Sequence, residues 1–431
     1  MKKISKRVLL SLLALIVIYG IGRLIDVSYG SFQFVNRQPY LVTQTANSMA
    51  IKWQTPKSEI GKVVYGLSPQ SLTNIRSEEV GSQKHKITLA KLDACTRYYY
   101  KVISDSLVID NMGRSFTTLC KTADFQRLWV IGDSGDNTKN QRKVYNQMNK
   151  LIHRDYTKLD MWLLLGDNAY TSGTQKQFNK SLFKPFIELV KRFTPWAAPG
   201  NHDARRWAFY DIFDFPANGE SGGVASGHEE FYSVDNGNLH LVMLDSETVS
   251  RSSDGEMAEW LRKDLAANKK PWVIVAFHTP PYSDGGHKSD NCWDSRGRLC
   301  DMRENFVPIF DEYGVDLVLS GHSHGYERSK LIVNHLGKSN TFSKKNIVED
   351  RKTDYVKSLK KKKNSGTIYQ VCGSSAKLDG APYNHPALPY SLAQMGSLII
   401  ELTPTTLTSM FLNIDGKIAD KFTITKKEDT K

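Results

Sequence analysis

A chain of 431 residues with 40% hydrophobic, 10% aromatic and 24% charged side chains carries enough apolar material for sizeable cores, which excludes intrinsic disorder and fits two domains. The formal charge of +13 is spread over scattered lysines and the run Lys360 to Lys363, with no basic amphipathic helix. It reads as a solvated surface compatible with an anionic substrate, and nucleic acid is not expected as a binding partner.

The chain opens on Lys2, Lys3, Lys6 and Arg7, followed by a weakly polar or apolar stretch from Val8 to Gly22 that Arg23 closes. Residues 1–30 therefore read as a signal peptide or an N-terminal membrane anchor. The stretch is near the upper length of a signal-peptide core and short for a full span of ~20 residues. Ser28 and Gly30 are the small residues of a weak cleavage site. Positive charge ahead of the apolar stretch keeps the N-terminus cytoplasmic and exports the rest to the cell envelope, anchored or secreted. An uncleaved segment makes the membrane a partner.

Residues 36–120 alternate short β-like segments with turn signals: Met49 to Trp53, Gly61 to Gly66, His85 to Leu89, and strands around Tyr98 and Phe116. That spacing predicts an all-β sandwich. No titratable cluster appears in it, so it reads as a spacer or recognition module. Antiparallel pairing of the Tyr98 and Phe116 strands brings Cys95 to Cys120. Cys292 and Cys300 can staple the loop between them, and Cys372, inside an apolar run, reads as a buried thiol.

Over residues 124–427 strongly apolar strands alternate with helical stretches such as Val144, Met148, Leu151 and Ile152, the pattern of an α/β domain. The Lys-rich stretch from Lys344 to Lys363 reads as a mobile surface insertion.

Five apolar strands of this region end in clusters of metal-ligand residue types. Leu128 to Ile131 runs into Gly132-Asp133-Ser134-Gly135, and Met161 to Leu165 into Gly166-Asp167-Asn168-Ala169-Tyr170. Trp196 to Pro199 leads to Gly200-Asn201-His202-Asp203, Trp272 to Phe277 to His278, and Val315 to Ser320 to Gly321-His322-Ser323-His324. The carboxyl edge of an open sheet is where ligands bind. Each cluster alone is more often a turn, a cap or a structural histidine; together they point to oxygen and imidazole donors for iron, manganese or zinc. The number of donors implies two metals, which supply a nucleophile near neutral pH and a partner for phosphoryl charge.

These ordered motifs, extended by Tyr326-Glu327-Arg328, resemble the purple acid phosphatases within the calcineurin-like metallophosphoesterases. The resemblance implies a metallophosphoesterase β-sandwich flanked by helices, preceded by a fibronectin type III-like sandwich. It implies that Asp133, Tyr170 and His324 bind one metal, that Asn201, His278 and His322 bind the other, and that Asp167 bridges them. Tyr170 as tyrosinate favours ferric iron (Fe3+), with Zn2+, Mn2+ or Fe2+ as the second, divalent metal. Gly135 stands where other branches of the superfamily place a His. His202 would protonate the leaving alcohol, and His287 matches a substrate-facing His, with Lys288 where plant members often carry another. Arg205 and Arg206 read equally as phosphate contacts or surface charges, and Asp245 as structural.

The implied activity is hydrolysis of phosphomonoesters by a metal-bound hydroxide in an exported acid phosphatase. The alternatives are a phosphodiesterase of the same superfamily acting on nucleotides or lipid head groups, and a non-catalytic surface binding protein.

Overall fold

The structure, a computed structural model, describes residues 6–205, 207–360 and 362–428, with only the backbone of residues 6–12. Arg206 and Lys361 lie outside the described residues. The chain begins as one continuous helix, Lys6–Phe32, whose stretch Leu13–Phe32 has a mean hydropathy of 1.5 and is long and apolar enough to cross a membrane.

Next comes a sandwich. A sheet of Arg37–Gln44, Ser48–Glu59 and Ser82–Ala90 packs on a second sheet of Asn74–Ser77, Lys62–Gly66, Arg97–Ile103 and Ser115–Thr117. Alternate residues of each strand turn inward, as a half-buried sheet requires, so Ile51, Trp53 and Leu89 from one sheet meet Val63, Tyr100 and Phe116 from the other. Arg97 pairs with Thr117, and just beyond this register Cys95 and Cys120 form a disulfide. Cys292 and Cys300 form the second, and Cys372 is a buried free thiol.

The larger region stacks two seven-stranded mixed sheets. One runs Pro195–Ala197, Met161–Leu164, Gln126–Ile131, Gly396–Leu402, Thr406–Asn413, Ile418–Lys427 and Asp354–Ser358. The other runs Tyr232–Asn236, Leu239–Met243, Trp272–Ala276, Leu317–Ser320, Ile368–Cys372, Tyr326–Arg328 and Tyr390–Leu392. The period of two divides the second sheet's apolar strands between two cores. Ile274 and Leu319 face the opposite sheet, with Leu128 and Leu163, whereas Val273, Val275 and Val318 pack against helices Glu256–Ala267 and Val307–Tyr313. Burial on both faces is why these strands are continuously apolar. Gln126–Ile131, Met161–Leu164 and Pro195–Ala197 are mutually parallel, as are Leu239–Met243, Trp272–Ala276 and Leu317–Ser320. Their carboxyl ends meet along one rim, where His322 of one sheet donates its backbone N–H to Asp133 of the other at 2.8 Å.

Two expectations are corrected. In helix Lys139–Leu151, capped by Thr138, Val144 and Met148 are buried but Leu151 faces solvent, and Gln141 takes a buried place by donating to the Ser181 carbonyl at 2.6 Å. The Lys344 to Lys363 stretch is not a mobile insertion: Asp354–Ser358 is the edge strand of a seven-stranded sheet, parallel to Ile418–Lys427. Lys357 within it is buried because Asp316 and the carbonyls of Gly314, Val315 and Gly366 receive its ammonium. Lys360, Lys362 and Lys363 are exposed, in keeping with a solvated run.

Candidate metal centre

The rim gathers all seven predicted ligands. Tyr170 Oη lies 3.2 Å from Asp133 Oδ1 and 3.4 Å from His324 Nε2, and the latter is 3.5 Å from Asp133 Oδ1. A second group joins His278 Nε2 to Asn201 Oδ1 at 3.1 Å and to His322 Nδ1 at 3.2 Å. Asp167 adjoins both: its Oδ1 is 3.6 Å from His278 Nε2, and Asp133, Asp167 and His278 can offer ligand atoms all within 4.8 Å of one another.

Hydrogen bonds on the far side of two imidazoles fix which nitrogen faces inward. His278 Nδ1 donates to the Leu165 carbonyl at 2.8 Å, so Nε2 is the nitrogen turned to Asn201 Oδ1, and it offers a lone pair once a metal displaces its proton. His324 Nδ1 donates to Asp379 Oδ1 at 2.8 Å and turns its Nε2 toward Asp133 and Tyr170. In the metal-free protein protons hold these converging acceptors together, and a metal ion can take their place. Donors bound to one metal at about 2.0–2.2 Å sit roughly 3 Å apart for right-angle coordination, and the spacing within each group is close to that. The residues therefore fit two metal ions.

The backbone carries the cost of this convergence. Asp133, Asp167 and His322 adopt φ of +54°, +52° and +70°, the left-handed region that non-glycine residues seldom occupy. Gly166 has φ +90°, with the His278 ring against the place a Cβ would take, and a side chain at Gly200 would collide with Asp167. These glycines let neighbouring ligand loops touch.

The local field favours cations. Burial alone would lower the His278 imidazole, but Asp167 and Asp133 outweigh it and push it up to about 9. His324 is likewise penalised by burial and carried up to about 9 by Asp133 and Asp379. Burial and the surrounding imidazoles hold His322 well below the ordinary range, a neutral ligand-ready ring. Burial with Asp133 and Asp167 raises the Tyr170 hydroxyl well above its ordinary value, so ionising it requires positive charge at this position.

The two predicted substrate-facing histidines flank the ligands. His202 Nδ1 donates to the Thr171 carbonyl at 2.7 Å, leaving Nε2 free 3.8 Å from Asp167 Oδ2. Burial lowers its pKa, with Asp167 opposing. His287 stacks on His322 with centroids 3.8 Å apart, and its Nδ1 is 2.8 Å from Asp294 Oδ1. Arg205 donates to the same Thr171 carbonyl at 3.2 Å. Asp245 is buried, accepting from Tyr210 Oη at 3.0 Å and from the backbone of Glu247 and Thr248.

Several residues that shape the site were given no role of their own from sequence. Asp203 is fully buried and accepts from the backbone N–H groups of Asn168, Ala169 and Gly200 and from Asn168 Nδ2. Burial and Asp167 push its carboxyl up to about 7, against the pull of those donors. Its place in Gly200-Asn201-His202-Asp203 was the signal available. Glu327 accepts from Ser283 Oγ at 2.6 Å and from the Asp284 N–H at 2.9 Å, bracing the loop that leads to His287. Ser295 Oγ lies 2.6 Å from His322 Nε2, and the Lys377 ammonium sits 3.5 Å from the Tyr170 ring centroid. Neither these two nor Asp379 has a local sequence pattern.

Residues 126–326 match the family model described as calcineurin-like phosphoesterase, and residues 37–118 match the purple acid phosphatase N-terminal domain. Purple acid phosphatase 18 of Arabidopsis thaliana is 29% identical over 68% of this chain and 65% of its own length. Purple acid phosphatase 15 of the same plant is 25% identical over 67% of this chain and 63% of its own, and acid phosphatase type 7 of Homo sapiens 28% identical over 67% and 69%. The chain thus spans a little under two thirds of the two plant proteins. Among solved structures, purple acid phosphatase PPD1 from yellow lupin (Lupinus luteus) superposes with a TM-score of 0.72 at 19% identity, over 91% of this chain and 76% of that one, a likeness of fold.

Proposed function

The chain belongs to the purple acid phosphatase family, and from that premise we propose that it is an exported phosphatase that hydrolyses phosphomonoesters at a two-metal centre. The observation that carries this reading is the pair of clusters of ligand-type side chains, Asp133–Tyr170–His324 and Asn201–His278–His322, joined at Asp167. We assign ferric iron to the tyrosine-bearing cluster and Zn2+, Mn2+ or Fe2+ to the other. When bound, such a metal pair supplies an activated water and positive charge for the phosphoryl oxygens.

The chain's own groups do the rest. The Thr171 carbonyl holds His202 Nδ1–H, so a second proton on this ring resides at Nε2, on the side of Asp167. From there it passes to the ester oxygen as the P–O bond breaks, giving alcohol and inorganic phosphate. His287, aimed by Asp294, donates to a phosphoryl oxygen and orients the substrate. The relatives' names as acid phosphatases support the monoester assignment.

The test is metal content and visible absorption of the purified protein alongside phosphate release from an aryl monoester and its bis-ester. We expect two metals per chain including iron, a visible band abolished in Tyr170→Phe, and preference for the monoester. Bis-ester preference would move the assignment to a phosphodiesterase. A protein that takes up no metal and releases no phosphate would overturn it in favour of a binding role.

A further inference from the structure

We propose that the protein acts at the surface of a lipid bilayer and that its substrates are phosphate monoesters carried by membrane lipids, an inference that rests on the phosphatase reading above. The first observation is the N-terminal helix. Only 6% of its apolar window Leu13–Phe32 is buried in the protein, and Leu15, Ile16, Ile18, Tyr19 and Leu24 are all more than 60% exposed. The part of the helix ahead of Arg23 is about 25 Å long at 1.5 Å per residue, most of the thickness of a bilayer's hydrocarbon core. A bilayer is the occupant that matches a helix whose residues from Leu13 to Gly22 include no charged side chain on any face.

The second observation is where this helix ends. Ser31 is fully buried, accepting the Trp207 N–H on its hydroxyl at 2.9 Å and Gln175 Nε2 on its carbonyl at 3.0 Å. Gln175 also receives Arg37 Nη2 at 2.9 Å, fastening the start of the first strand to the same place. Gln175 follows the loop of Tyr170, and Trp207 follows Asn201 and His202, so the loops that build one wall of the metal centre rest on the helix end. Ser28 and Gly30, the residues of the weak cleavage site, lie inside this docked helix. The exposed ion pair Arg23–Asp26 marks the polar boundary, and the helix from there to Ser31 rises only about 12 Å. The centre is thereby fixed close to the bilayer rather than hung on a linker.

The third observation is at the rim. Trp207 is 62% exposed beside the helix end, and Trp293 is 91% exposed next to Asp294, which aims His287. Tryptophan is the side chain enriched at membrane interfaces.

The test uses the full-length, metal-loaded chain reconstituted into phosphatidylcholine vesicles containing a minority of phosphatidic acid, with glycerol 3-phosphate and an aryl phosphate as soluble comparators. We expect kcat/KM for phosphatidic acid about tenfold or more above that for glycerol 3-phosphate. The Trp207→Ala/Trp293→Ala double variant should lose most of that advantage while keeping its aryl phosphate activity. Bromine-labelled lipids should quench wild-type tryptophan fluorescence more than that of a Trp207→Phe/Trp293→Phe variant, a reading independent of turnover. Equal rates on lipid and soluble monoesters, unchanged quenching, or a mature N-terminus beyond Ser31 would overturn this inference and leave the phosphatase reading standing. Failure on every substrate would overturn both.

Discussion

The carboxylate of Asp203 holds Asn168 by two bonds, accepting its backbone N–H and its Nδ2 at 2.9 Å each, and so ties the loop that carries Asp167 and Tyr170 to the loop that carries Asn201. The same carboxylate takes the N–H groups of Ala169 and Gly200, all of it out of contact with water. Asp203→Ala leaves these buried donors without a partner, at about 1–3 kcal/mol for each one that finds no substitute. We expect destabilisation of roughly 3 kcal/mol or more, seen as a lower thermal midpoint, and a reduced metal content in protein that still folds. An unchanged midpoint would show that water replaces the carboxylate.

The Lys377 ammonium lies on the Tyr170 ring, where it would stabilise the phenolate formed on binding a metal. With ferric iron bound, a stabilised phenolate gives up its electron less readily, which raises the energy of the phenolate-to-iron transition. Lys377→Met should therefore move the visible band to longer wavelength while leaving two metals per chain. A band that stays in place would mean the lysine turns away from the ring once metal is bound.

The convergence of the seven proposed ligands on one rim was legible because the loops that carry them follow strands buried on both faces, and such strands announce themselves as unbroken apolar runs such as Trp272 to Phe277. The disulfides and the N-terminal sandwich were legible for the related reason that alternation and strand pairing are local. What orients the ligands was not. Asp379 reaches His324, Ser295 reaches His322 and Lys377 covers Tyr170 only after distant loops are folded together, and no periodicity encodes those contacts. Lys357 misled in the opposite direction: a lysine among lysines reads as solvated, and it turns inward to the buried Asp316 and three backbone carbonyls.

His240 lies fully buried between Asp235 and Asp264, 2.8 Å from each. Burial alone would lower its pKa, but the two carboxylates hold it above the ordinary histidine value. A folded-state pKa above the unfolded one of about 6.5 gives stability that is fully present below pH ~6.5 and is lost as pH rises through the folded value. His240→Gln should therefore cost roughly 3 kcal/mol or more under acidic conditions, the cost of breaking a buried ion pair, and less at alkaline pH. Denaturant midpoints of both proteins measured across pH give the answer, and a pH-independent difference would place the histidine's value in packing alone.

His202 offers the sharpest separation of chemistry from binding. Its Nδ1–H is held by the Thr171 carbonyl, and only a second proton, on Nε2, can be delivered to a leaving alcohol. An alkoxide needs that proton as the P–O bond breaks, whereas an aryl leaving group with an acidic phenol departs without it. His202→Ala should cut kcat on alkyl phosphates by about 10²–10⁴ and on p-nitrophenyl phosphate by far less, with little change in KM. Burial lowers the pKa of this imidazole, so the alkyl-specific activity is present in acid and falls as pH rises through that lowered value. The limb should vanish from the pH profile of the variant. Equal losses on both substrates, with the pH limb retained, would assign the proton donor elsewhere, and His287, aimed by Asp294 from the opposite wall, would be the next residue to replace.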